Sequence, residues 1–313
     1  MTQEMAAAVP QPGGSGGFLA SLSGELAGVV ERVGPSVVRI DDGSRLTATG
    51  VVWQSDGDIL TTSHGVERDE DLVVELADGQ TRLPATLVGR DPDTDLALLR
   101  VQATELPALA RAALETAQVG HLVLALGRPG TAGLQATIGI VSSRQESQTG
   151  GAPEYVLTTD AVLYPGFSGG PLVSVDGQMV GLLNRAFGRG SGVALGTSLI
   201  ARVAHALRTT GKVSRGYLGV RTQIVAVPAR LRETLNVAQE RGLLVVGVET
   251  GSPAEQGGLL PGDTLLRVDG TVTEDVDALR GDLRRRQAGE TVVLALLRGG
   301  ALQDLHVTLG AES

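Results

Sequence analysis

Three phrases in this 313-residue chain hold side chains that could do chemistry together. Ser168 lies in Tyr164-Pro165-Gly166-Phe167-Ser168-Gly169-Gly170-Pro171-Leu172-Val173. His64 ends Ile59-Leu60-Thr61-Thr62-Ser63-His64, and Asp95 sits within Asp93-Thr94-Asp95-Leu96-Ala97-Leu98-Leu99. Glycines on both sides of a serine let the backbone turn sharply and turn main-chain N–H groups toward an oxygen beside the hydroxyl. A nucleophilic serine needs that setting: an exposed hydroxyl, a base for its proton, and donors for the developing oxyanion. Singly, a strand-end histidine or a turn aspartate is more often structural. Together and in context, they point to acyl transfer.

The elements around them are mostly β. Val37–Ile40, Gly50–Trp53, Leu72–Leu76 and Leu122–Leu126 are short apolar runs separated by Asp-Gly, Gly-Gln and Pro-Gly turns, a pattern of barrels or sandwiches. Before them, Phe18, Leu19, Leu22, Leu26, Val29, Val30 and Val33 share one face of a helix stopped by Gly34-Pro35. Residues 1–17 are rich in Pro, Gly, Ser and Ala and read as a flexible tail. Thr197-Ser198 reads as the cap of a helix through Leu199, Ile200, Val203, Ala204 and Leu207 that Gly211 ends. From about Arg215 a second unit begins, with strands near 217–220, 243–248, 264–268 and 291–297 and a helix over 275–287.

Composition removes several function classes. The chain has no cysteine, which excludes thiol catalysis, disulfides and cysteine-held metal. Lys212 is its one lysine, so lysine catalysis has almost no material. A net charge of −9 argues against a nucleic-acid partner. Hydrophobic residues are 42% but aromatic ones only 2%, so the core must be aliphatic. Gly166-x-Ser168-x-Gly170 also fits the nucleophile elbow of α/β-hydrolases. That motif needs a helix directly after the serine, whereas Leu172–Leu182 reads as a hairpin around Asp176-Gly177.

At these phrases the chain resembles the HtrA (DegP/DegS-like) family of trypsin-like serine proteases. The likeness runs from about Val33 to Leu309, with spacings of 31 residues from His64 to Asp95 and 73 from Asp95 to Ser168. The resemblance implies a mainly β fold: a trypsin-like double six-stranded β-barrel over 18–211, followed by a small α+β PDZ domain over 215–311. It implies Ser168 as nucleophile, His64 as general base and then acid, and Asp95 as the group that orients the imidazole. The backbone N–H groups of Gly166 and Ser168 would form the oxyanion hole. Phe167 stands where the family most often has Asn; it is expected over the oxyanion loop or at the cleft edge. No acid occurs in Ala161-Val162-Leu163, so Val162 and Leu163 suggest a pocket for small or medium aliphatic side chains.

In the second unit, Arg215-Gly216-Tyr217-Leu218-Gly219-Val220 resembles the carboxylate-binding loop and first groove strand of bacterial PDZ domains. Tyr217, Leu218 and Gly219 would line a peptide site opposite Val276 and Leu279, with Leu283 read as core. The whole reads as an ATP-independent endopeptidase of unfolded or damaged protein, needing no cofactor or metal, with a groove for peptide C-termini. A catalytically silent chaperone or adaptor is the alternative. The resemblance also implies a homotrimer, for which Phe18 offers an aromatic anchor. No signal peptide or membrane span is legible, so the reading is cytoplasmic, or cell envelope if a leader was removed.

Overall fold

Short aliphatic runs punctuated by glycine turns pair antiparallel, and in the computed structural model they close on themselves twice. The structure describes residues 15–44, 47–113, 117–149, 152–187, 192–286 and 288–311. The chain enters through helix α1 (Ser15–Val33). The helix thus begins three residues earlier than the sequence suggests, and the rest of the expected tail lies outside the described residues. Val29 and Val33 are buried, but Phe18 and Leu19 are 71% and 62% exposed, so only part of the predicted apolar face meets the barrels.

The first barrel has strands β1 (Val37–Asp41), β2 (Ala48–Gln54), β3 (Asp58–Thr62), β4 (Leu72–Glu75), β5 (Arg82–Asp91) and β6 (Leu96–Val101). The second has β7 (Leu122–Gly127), β8 (Gln135–Thr149), β9 (Ala152–Thr159), β10 (Pro171–Ser174), β11 (Met179–Asn184) and β12 (Gly192–Gly196). Their closed orders are β1-β2-β3-β6-β5-β4 and β10-β11-β12-β9-β8-β7, so neither sheet leaves an open edge. Val38, Ile40, Val52, Ile59, Val74 and Leu99 fill the first interior. Val123, Val141, Leu157, Leu172 and Leu183 fill the second, with Tyr155 and Phe167 among them.

Helix α2 (Thr197–Thr210) then buries Ile200, Val203, Ala204 and Leu207. Its N-cap is Gly196 with no side-chain cap, not Thr197; the Thr197 hydroxyl lies 3.3 Å from the buried Tyr155 hydroxyl instead. Gly211 ends the helix at φ 72°, its N–H donating to the Leu207 carbonyl, in keeping with its predicted role.

The chain divides into two compact units; the second begins at Val213 and also takes in Gln148, Thr149, Ala152 and Pro153. The second unit runs β13 (Gly216–Tyr217), β14 (Val220–Ala226), α3 (Ala229–Leu235), β15 (Arg241–Val248), α4 (Pro253–Gln256), β16 (Thr264–Val268), β17 (Thr271–Val272), α5 (Val276–Arg285), β18 (Thr291–Arg298), β19 (Ala301–Thr308) and β20 (Gly310–Ala311). Its main sheet has the order β14-β15-β16-β18-β19, over a core that includes Leu243, Leu265, Leu294 and Val307. Asp275 caps α5, its side chain accepting the Ala278 N–H at 2.7 Å.

Candidate active site

Sheet register brings His64 and Asp95 together. Thr62 at the end of β3 pairs with Leu96 at the start of β6, so residues just beyond these ends become neighbours. The Asp95 backbone carbonyl accepts the Ser63 N–H at 2.8 Å, and its Oδ1 accepts the His64 N–H at 2.8 Å. Its Oδ2 lies 2.5 Å from His64 Nδ1. Asp95 adopts φ 55°, the left-handed region that a short polar side chain tolerates better than most.

A third donor reaches the same carboxylate from the other barrel. Asn184, fully buried at the end of β11, donates Nδ2–H to Asp95 Oδ2 at 2.8 Å. Its own Oδ1 accepts the Ala186 N–H at 2.9 Å, which fixes the amide's orientation. Burial pushes the Asp95 carboxyl up, but the hydrogen bonds from the His64 ring, the His64 amide and Asn184 outweigh it and hold the group below its ordinary value. An ionised acid beside Nδ1 keeps a proton there and leaves Nε2 free to accept one.

Ser168 sits on the turn before β10, in the same cleft as His64. Two glycines make that turn possible. Gly169 has φ 86°, and a Cβ there would lie 2.1 Å from the Thr49 carbonyl oxygen; Gly166 also has φ 86°, and a Cβ would meet Pro129 Cβ at 2.6 Å. The Thr49 hydroxyl donates to the Gly166 carbonyl at 2.6 Å and accepts the Arg128 N–H at 2.8 Å. With that carbonyl tethered, the Gly166 and Ser168 N–H groups have no hydrogen-bond partner among the described residues. The Ser168 hydroxyl accepts the Arg185 N–H at 3.2 Å and makes no hydrogen bond to His64 in this arrangement.

Phe167 takes neither position expected of it. It is fully buried in the second barrel, its ring edge-on to Tyr164 with centroids 5.6 Å apart. An aromatic side chain beside the turn is drawn into the aliphatic interior because that interior has room for it at Gly127.

Residues 48–182 match the trypsin-like peptidase domain family, and residues 216–309 match the PDZ domain family. Among solved structures, the HtrA-type protease AlgW with a decapeptide aligns at a TM-score of 0.71 and 30% identity, covering 92% of this chain and 99% of that one. The chain belongs to the HtrA family of serine proteases. The serine endoprotease from Yersinia pestis aligns at a TM-score of 0.70 and 30% identity, covering 92% of this chain and 98% of that one. A probable periplasmic DegP-like serine endoprotease of Halomonas elongata is 35% identical over 271 residues, 85% of this chain and 56% of its own length. One from Chlamydia trachomatis is 37% identical over 270 residues, 83% of this chain and 53% of its own. The chain spans about half the length of these curated relatives.

In this HtrA chain, Val162 and Leu163 line the same cleft, of about 900 Å³, as His64 and Ser168. Val162 is 57% exposed, while Leu163 packs against the barrel core. Asp160 also lines the cleft, with its Oδ1 accepting the Ile140 N–H at 2.7 Å. In the PDZ unit, a groove of about 740 Å³ is lined by Tyr217, Leu218, Gly219, Val276 and Leu279, the five residues assigned to it from sequence. Leu283 lines it as well, half-buried against the core, so the core-only assignment of this residue is corrected. Asn184 and Thr49 were not singled out from sequence, because nothing local marks a residue whose role is a contact across two barrels, and Arg185 acts through its backbone N–H, which any residue but proline supplies.

Proposed function

We propose that the chain is an ATP-independent serine endopeptidase of unfolded or damaged polypeptide. In this reading His64 Nε2 takes the Ser168 proton as Oγ attacks the scissile carbonyl. Asp95 holds the ring and stabilises the imidazolium, and His64 then returns the proton to the leaving amine. The unbonded Gly166 and Ser168 amides receive the oxyanion, where losing one donor typically costs about 10²–10³ in turnover. The observation that carries the proposal is the three-donor fixation of Asp95 beside a histidine that shares its cleft with Ser168. A silent chaperone would have no use for so constrained a carboxylate.

Val162 and Leu163 make the residue before the cut a small or medium aliphatic one. The PDZ groove takes peptide C-termini, which add a strand to β14 and place a carboxylate at the Tyr217-Leu218-Gly219 loop. Phe18 and Leu19, exposed on α1, are the surface we assign to a homotrimer contact. The curated relatives are named as periplasmic, so the cell envelope replaces the cytoplasm as the proposed compartment. No described helix is long and apolar enough to cross a membrane.

Unfolded casein, offered to the wild-type chain and to Ser168→Ala, tests the reading. Cleavage that disappears in the variant is expected. Intact casein alongside turnover of a small ester would overturn peptidase activity, and suppression of aggregation without cleavage would favour the chaperone.

A further inference from the structure

The PDZ groove carries a charge pattern that binding a terminal carboxylate at the loop does not require. Arg221 lines it from β14, and Arg280 and Arg284 line it from α5, one helical turn apart. Glu249 is the one acidic residue among the lining, and it is engaged by the Tyr217 hydroxyl. Some arginines of this unit are matched to acids: Arg298 with Asp263, and Arg286 with Asp269, Asp282 and Glu290. Arg221 and Arg280, which line the groove, are not among these. Both are exposed, and among the described residues neither has a carboxylate within ion-pair distance.

β14 is at the end of its sheet, so the edge facing α5 is open to an added strand. Successive side chains of such a strand alternate in direction. Those turned toward the helix pass Arg280 and Arg284, and those turned away pass Arg221. The apolar lining from Leu218, Val276, Leu279 and Leu283 accepts a hydrophobic side chain at the same time. Guanidinium groups pair with carboxylates in a fixed fork geometry, and an excess of one sign in a concave site concentrates ligands of the other.

We infer that this groove selects peptides that combine an apolar C-terminal residue with Asp or Glu at the two or three positions before it. The inference rests on the reading of the groove as a site for peptide ends.

The test uses the full chain with Ser168→Ala, so that ligands stay intact, and fluorescence anisotropy of labelled decapeptides ending in Val. Three peptides differ only at the second to fourth residues from the C-terminus, carrying Glu, Gln or Lys, and the Glu peptide is also made as a C-terminal amide. The Glu peptide is expected to bind roughly threefold to tenfold tighter than the Gln peptide, with Lys weakest. That spread should contract between low and high salt. The double variant Arg221→Gln/Arg280→Gln should compress the ranking toward equality. Equal affinity for Glu and Gln peptides, with binding still abolished by amidation, overturns the acidic preference and leaves the peptide-end reading standing. Indifference to amidation, or no binding by any peptide, overturns the peptide-end reading and this inference with it.

Discussion

Asn184 Nδ2 donates to Asp95 Oδ2 at 2.8 Å across 89 residues of sequence, on the oxygen that also faces His64 Nδ1. The second barrel therefore helps to orient an acid that belongs to the first. Asn184→Ala removes this donor while leaving Ser168, His64 and Asp95 in place. A hydrogen bond to a charged group is typically worth about 1.5–3 kcal/mol, so kcat should fall about tenfold to a hundredfold with little change in KM. Steady-state kinetics on an unfolded substrate would measure it; an unchanged kcat would remove Asn184 from the positioning machinery.

Thr49 plays the corresponding part for the turn that carries Ser168. Its hydroxyl bridges the Gly166 carbonyl and the Arg128 amide, and so fixes one face of the peptide that follows Gly166. Thr49→Val keeps the shape and loses the bridge. The expected result is a kcat loss of about tenfold with KM held, restored in large part by Thr49→Ser, because the defect lies in transition-state stabilisation. Equal losses in the Val and Ser variants would mean that packing, not the hydroxyl, supports the turn.

These two cases mark how far the sequence could be read. Ser168, His64 and Asp95 each announce themselves locally, through glycine turns or strand ends, and antiparallel register does the rest. Asn184 and Thr49 have no local signature, since their partners lie 89 and 117 residues away. The same logic holds for secondary structure. β1, β7 and β16 alternate or run apolar and are legible. Helix α3 buries no residue, and β19 is exposed at most positions, so neither leaves a periodic apolar trace. Phe167 was misplaced because an aromatic residue beside the Ser168 turn says nothing of the glycine that makes room for it.

That glycine is Gly127, where a Cβ would lie 2.7 Å from Phe167 Cδ1. Gly127→Ala should therefore push the ring and the turn it belongs to, costing about 1–3 kcal/mol of stability as overpacking does. Phe167→Leu should relieve the clash. A double-mutant cycle by thermal unfolding should give a favourable coupling, with Gly127→Ala/Phe167→Leu more stable than the sum of the single changes predicts. Strict additivity would show that the ring yields without consequence.

Acid sensitivity of the PDZ unit should trace to Asp263. Its carboxylate accepts Arg298 Nε at 2.7 Å, Arg298 Nη2 at 2.6 Å and the Leu260 N–H at 2.8 Å. Burial pushes the carboxyl up, but the bonds from Arg298 and the Leu260 amide prevail and hold it below its ordinary value. A carboxyl lowered by folding contributes stability that is fully present above the unfolded-state value of about 3.9 and is lost as pH falls through the folded one. In the full chain, urea titrations followed at the Val292 and Leu294 amides by NMR should show the midpoint dropping steeply below about pH 4. Asp263→Asn should begin with a lower midpoint at neutral pH and lose less of it in acid. Parallel pH curves for the two proteins would assign the acid sensitivity to other carboxylates.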